Sequence, residues 1–349
     1  MRHAVPPLLF AALLLAGCTS IGPQRLGVDR SDYGDHLRET NKQQLLQNIV
    51  AMRFGDAPSF LDVSSVIAQY TREGSLHADA RIDPSPGADD KATVGGTVLL
   101  RESPTVTYTP LIGDRFARSM LAPISPAALL GMIDSGWSPD LLFRLAARSI
   151  NGIDNGSRDP LFAQRANPAF AEVVAALGRL QQSRALTMRV THEEAGRFGA
   201  TATPLSDPTD QDRADLAYLR RVLRLPGDGR MLRIVFANGA SAPDELAIGT
   251  RSMFEILSEL AQGVELPDES RSAAPTPSTA DYGAPLIRIH SGKARPAATH
   301  VAVRFHGQWY WIDQGDLASK QMFLIAQVLM SLTDTSGSSA GPVVTIPAS

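Results

Sequence analysis

The sequence predicts an α+β protein: small antiparallel sheet elements, a central helical segment, and a C-terminal β-hairpin followed by a helix. Three observations carry this. Between residues 114 and 183, three apolar runs each open on Ser-Pro or Asn-Pro: "SPAALLGMIDSG", "SPDLLFRLAARSI" and "NPAFAEVVAALGRLQQ". A small polar cap followed by proline in the first turn is a helix start. Residues 59–111 instead alternate loosely and are β-branched, as strands are. Near the end, "THVAVRFHGQWYWID" alternates on both sides of a Gly307-Gln308 turn, and "DLASKQMFLIAQVLMSL" after it is amphipathic.

Taken from the start, Arg2 and His3 precede an apolar run, Val5 to Ala16, broken only by Pro6 and Pro7. The run is too short for the roughly 20 residues of a membrane span. With the small residues Ala16 and Gly17 behind it, it reads as a secretory signal over residues 1–17. Cys18 follows, the one cysteine in 349 residues. The stretch Leu15-Ala16-Gly17-Cys18 resembles the lipobox of bacterial lipoproteins. That resemblance implies cleavage before Cys18 and lipidation of its sulfur and of the new amino terminus. One acyl chain binds a membrane only marginally and about two signals hold it stably, so a multiply acylated cysteine suffices. Thr19 stands where enteric-type lipoproteins retained at the inner membrane carry Asp. The resemblance therefore implies an outer-membrane, lipid-anchored protein facing the periplasm. The stretches "NIVAMRFGDAPSFLDVSSVIAQY", "SGWSPDLLFRLAARSINGIDN" and "WYWIDQGDLASKQMFLIAQVLMSL" also resemble uncharacterised lipoproteins of Gram-negative bacteria, which brings no activity with it.

Residues 18–34 are expected to be a flexible tether, and 35–332 the globular region, one large or two modest domains with a split near 184. Leu45, Leu46, Ile49, Val50 and Phe54 fall at helical spacing, and Gly55 and Pro58 end that helix. "FLDVSSVIAQYT", "ATVGGTVLL" and "PTVTYTPL" read as three strands, the last two joined at Arg101–Pro104, with "DPSPGADDK" as a loop. Gly95 and Gly96 suggest a bulge or a close approach. Beyond the three Pro-initiated helices come a strand ("ALTMRV"), a helix ("DQDRADLAYLRRVLRL") and a strand ("MLRIVFA"). A helix ("TRSMFEILSELAQG") closed by Gly263 follows, then an exposed linker over 265–284 and the final hairpin and helix. Residues 333–349 are expected to be a mobile tail.

Composition narrows function. With Cys18 lipidated no internal disulfide can form, so stability rests on a hydrophobic core. Without the leader's Arg2, the 33 basic residues become 32 against 36 acidic, giving a net charge of −4. A basic excess is missing, which argues against nucleic acid as partner. No phosphate-binding glycine loop, Gly-x-Ser-x-Gly elbow or His-Glu-x-x-His occurs, so neither a cofactor nor a metal is expected. His192, beside two glutamates, reads as a strand end.

The candidate ligand surface is Trp309, Trp311, His300 and His306. Alternation places His300, Ala302, Arg304 and His306 on one strand face and Val301, Val303 and Phe305 on the other. Two histidines six apart lie roughly 20 Å apart, too far for one metal. Trp309 and Trp311 share a face opposite Tyr310; they could form a sugar-stacking platform, but packing into the core against the following helix is the favoured reading. Asp134, Asp140, Asp313 and Asp316 read as helix-end residues. "SINGIDNGSRDP", 149–160, reads as a turn region rather than a ligand loop. The expected function is a non-enzymatic envelope protein that binds another envelope protein or assists an assembly. The alternatives are an envelope hydrolase acting on cell-wall or lipid material, and a peptidoglycan- or glycan-binding module.

Overall fold

The computed structural model describes residues 23–333 except 68–69, 82–90, 103–104, 163, 193–197, 205–207, 226–232, 236, 238–244 and 268–283. The α+β class holds, with a C-terminal hairpin followed by a helix. The leader, Cys18, the "DPSPGADDK" loop (but for Lys91), most of the 265–284 linker and the tail beyond 333 lie outside the described residues.

Two compact units are present, one of residues 1–58 with 114–349, the other Ser59–Gly113. The expected split near 184 does not coincide with this division, because residue 184 lies inside the first unit.

The first unit opens on α1 (Pro23–Arg53). It begins well before Asp35, so residues 23–34, expected to be tether, are helical. Its apolar stripe, Leu45, Leu46, Ile49 and Val50, is buried as the spacing predicts. Gly55 ends it in the left-handed region, φ +86°, where a Cβ would be strained.

The second unit holds β1 (Leu61–Ile67), β2 (Tyr70–Arg81), β3 (Lys91–Glu102) and β4 (Thr105–Pro110). Four strands stand where three are expected; β3 ends at Glu102 and β4 begins at Thr105, at the expected join, but β1 pairs with β4 and β2 with β3, all antiparallel. Ile67 stands opposite Thr105 and Tyr70 opposite Glu102. Three positions forward on one side match three back on the other, so the two pairs keep the same register. Gly95 and Gly96 pair regularly with His77 and Leu76; the register shifts instead between Val63 and Ser65.

The first unit resumes at Asp114, in α2 (Gly113–Phe116), which runs into a π-helical turn, Ala117–Leu121. The three Pro-initiated helices follow as α3 (Pro126–Asp134), α4 (Pro139–Ala146) and α5 (Pro168–Gln182). Only Asn167 makes the expected cap bond, accepting from the Ala169 N–H at 3.0 Å; Ser125 and Ser138 make none. "SPDLLFRLAARSI" is not helical throughout, because β5 (Ala147–Ile150) takes over at Ala147. The Asn155 amide donates to the carbonyls of Phe143, Arg144 and Ala147. It thereby satisfies helix-end acceptors that would otherwise call for another turn.

Strands β6 (Ile153–Asp154), β7 (Leu186–His192), β8 (Phe198–Pro204), β9 (Arg233–Val235) and β10 (Glu245–Thr250) complete a six-stranded sheet. Its order is β6-β5-β10-β9-β8-β7. It is larger than the small elements expected, and β9 and β10 run parallel. Helix α6 (Asp210–Val222) carries a Thr209/Asp212 capping box. It is tied to α5 by a fork: Arg179 Nε and Nη2 donate to Asp215 at 2.8 and 2.9 Å.

Helix α7 (Met253–Ala261) has a second box, Ser252/Glu255. Gly263 follows it for a reason other than a left-handed cap: a Cβ there would sit 2.0 Å from the Ile287 carbonyl oxygen. The chain ends with β11 (His290–Gly292), β12 (Thr299–Phe305), β13 (Gln308–Asp313) and α8 (Leu317–Thr333). Asp316, rather than Asp313, caps α8, accepting from the Ser319 N–H and hydroxyl at 3.0 and 2.7 Å. The core of this unit forms where α1, α7, α8 and β12 meet, around Ile256, Leu257, Phe323 and Ala326.

Candidate functional site

The C-terminal sheet has the order β11-β13-β12. Phe305 pairs with Gln308, so the turn residues are His306 and Gly307, one position earlier than expected. Their φ values, +46° and +81°, are those of a two-residue type I′ turn. His306 is thus a turn residue, not a member of a strand face, and its ring stacks on Phe305 with centroids 4.1 Å apart.

Strand β12 also carries an irregularity. Thr299 faces Asp313 and Val301 faces Ile312, leaving His300 as the extra residue of a bulge. Its ring meets the edge of Phe323 at 6.0 Å. Burial, reinforced by Lys42 and Lys320, lowers its pKa. The four sequence candidates therefore divide: His300 toward α8, His306 in the turn, and the two tryptophans together.

The tryptophans lie on the opposite face from the one expected. Tyr310 and Ile312 are buried with Val301 and Val303, whereas Trp309 and Trp311 are half-buried. The inner face is covered by α1, with Phe54 edge-on to Tyr310 at 6.0 Å. Trp311 therefore stands beside Trp309 on a face left partly open. The Arg295 guanidinium lies 5.4 Å from the Trp309 ring centroid. Gly292 leaves room for Trp311, whose ring a Cβ would approach to 3.2 Å. Asp313 accepts from the Trp311 indole N–H at 2.9 Å. His290 sits between two carboxylates, Nδ1 3.0 Å from Glu265 and Nε2 3.3 Å from Asp313. Because the imidazole separates the carboxylates, the three do not converge on one point. No group of three metal-ligating side chains occurs among the described residues.

A second site was not read from the sequence. A cavity of about 320 Å³ lies between the 155–158 loop, the start of α5 and α7, within the range of small-ligand sites. Arg144, Arg158 and Arg251 line it with a single carboxylate, Glu259. Arg251 is almost fully buried. Its guanidinium donates to the carbonyls of Arg144 (3.2 Å), Leu145 (2.9 Å) and Gly156. Desolvation lowers its pKa, while Glu259 and Glu255 work against that. Glu259 accepts from the Ser157 hydroxyl at 3.1 Å and from the Arg158 N–H at 3.0 Å, and pairs with the Arg158 guanidinium at 3.5 Å. Arg144 differs from both. Its one ion-pair partner among the described residues, Asp140, is 3.8 Å away, beyond hydrogen-bond distance, so it keeps donors at an exposed position. Asp159, next in the loop, is also buried and accepts from the Leu161 N–H at 2.7 Å and from the Ser258 hydroxyl.

The loop "SINGIDNGSRDP", read as a turn, therefore also builds a cavity wall. One sequence signal could have found this site: Glu259 interrupts the apolar stripe Met253, Ile256, Leu257, Leu260 of α7, and a charge on a buried stripe requires a partner. No known protein family, curated protein or solved structure matches this chain.

Proposed function

We propose that this chain is a lipid-anchored, non-enzymatic binding protein of the Gram-negative cell envelope. It is held through Cys18 at the periplasmic face of the outer membrane, where it binds another envelope component or assists an assembly. The observation behind the binding role is the arginine-lined cavity. Its carboxylate and its buried guanidinium are both engaged by structural hydrogen bonds, so neither is available to move a proton. Three guanidinium groups against one carboxylate favour an anionic group, carboxylate or phosphate, and Arg144 has donors to offer it. A hydrolase, the enzymatic alternative, would need a nucleophile with a free base in reach; the Ser157 hydroxyl does meet Glu259 at 3.1 Å, but that carboxylate is already held by the Arg158 N–H and guanidinium.

Titration calorimetry with inorganic phosphate and with citrate tests the binding role. At least one is expected to bind, and Arg144→Gln is expected to weaken it several-fold with stability unchanged within about 0.5 kcal/mol. Absence of heat with both anions rejects the anion site. The anchor is tested separately: Cys18→Ser should block lipid processing, read as loss of acyl labelling and of cleavage before residue 18. Unchanged labelling and cleavage would refute it.

A second reading rests on the adjacent half-buried Trp309 and Trp311, with Arg295 and Asp313 beside them. This is the arrangement of a sugar-stacking platform. Co-sedimentation with purified peptidoglycan should be lost in Trp309→Ala and Trp311→Ala; retention in both variants removes this reading.

A further inference from the structure

Strands β2 and β3 form a two-stranded ribbon of 12 residues each, in register with the β1–β4 pair. A strand crossing an outer-membrane-type barrel needs about 9–11 residues. The register sorts these residues by alternate positions. Leu76, Ala78 and Ala80 fall on one face with Val94, Val98 and Leu100. Glu73, Ser75, His77 and Asp79 fall on the other with Thr93, Thr97 and one large apolar residue, Leu99. Tyr70, Arg72 and Glu102 bound the apolar face at the end toward β1, where aromatic and charged residues mark a membrane interface. The same face continues in β1 and β4 at Val66 and Val106, and Val106 is exposed.

Apolar and polar residues alternating in period two over this length, with Leu99 the exception, are the pattern of a lipid-facing barrel strand. A lone ribbon cannot enter hydrocarbon, because its outer edges would carry unpaired N–H and C=O groups. Among the described residues β2 and β3 pair only with each other, so both outer edges can accept further strands. The most direct source of matching strands is the same ribbon on another copy, β2 of one pairing with β3 of the next.

We propose that copies of this chain join ribbon to ribbon into a closed transmembrane β-barrel, apolar face to lipid and polar face to the lumen. A polar lumen wide enough for a water-filled channel takes about 16 strands, so about eight copies. The assembly does not depend on the lipid at Cys18, nor on the cavity.

The test uses the mature chain with Cys18→Ser, in which single cysteines are placed in turn at 73–80 and labelled with an environment-sensitive fluorophore. Phosphatidylethanolamine–phosphatidylglycerol vesicles loaded with a small dye are then added. Labels at 74, 76, 78 and 80 are expected to shift to the blue while those at 73, 75, 77 and 79 do not, with dye release and a crosslinked oligomer. Leu76→Asp should reduce release at least tenfold, and Ser75→Asp, on the polar face, should leave it intact. Fluorescence shifts without period two, or no dye release from the unlabelled chain, would overturn the proposal.

Discussion

At Gly263 a single hydrogen atom is all the space allows. The Ile287 carbonyl oxygen lies where a Cβ would be, and the two chains are joined beside it by Ile289 N–H donating to the Gly263 carbonyl at 2.9 Å. Neither partner is the end of a flexible side chain, so Gly263→Ala must move backbone. It is expected to cost about 1–3 kcal/mol, read as a lowered Tm; an unchanged Tm would contradict the close approach. His300 makes a prediction in pH. Its folded pKa lies below the ordinary value because burial and the nearby Lys42 and Lys320 disfavour the charged ring. As pH falls through about 6.5 the unfolded chain takes up this proton first. Stability present above that pH is therefore lost on acidification, until the folded ring titrates too. His300→Gln should flatten the slope of stability against pH in this window, and chemical denaturation from pH 7.5 to 5 measures it.

Among the elements, the ones legible in the sequence were those whose signals are local. Proline after a small polar residue set the starts of α3, α4 and α5, and alternation around a glycine set the last hairpin. What escaped was decided by distant partners. The end of α4 depends on Asn155, and the orientation of Trp309 and Trp311 depends on α1 covering the Tyr310 face. Both tryptophans are the larger apolar groups, so size favoured burying them. Alternation paired them correctly but could not say which face would be covered. The arginine cavity was hidden for the same reason, since Arg144, Arg158, Arg251 and Glu259 meet only in the fold. Asn155→Ala would leave three carbonyls without this donor and is expected to cost about 1–3 kcal/mol, with hydrogen exchange fastest at the junction of α4 and β5. Protection equal to that of the parent there would show that the amide does not hold the junction.

For the molecule as a whole, the chain leaves the first unit at Pro58 and rejoins it at Asp114. Between these points Leu61 and Pro110 stand opposite each other, so the departing and returning strands lie side by side, about 5 Å apart. A segment whose two ends nearly touch can be lengthened or shortened without disturbing what lies outside it. Change, however, is quantised. Adding one residue to each strand preserves the pairing but inverts which side every later residue faces, whereas adding two to each preserves both. Natural variants that lengthen or shorten both paired strands equally should therefore differ by residues in multiples of four, and any that differ by two should have exchanged their greasy and wet sides from the break to the tip.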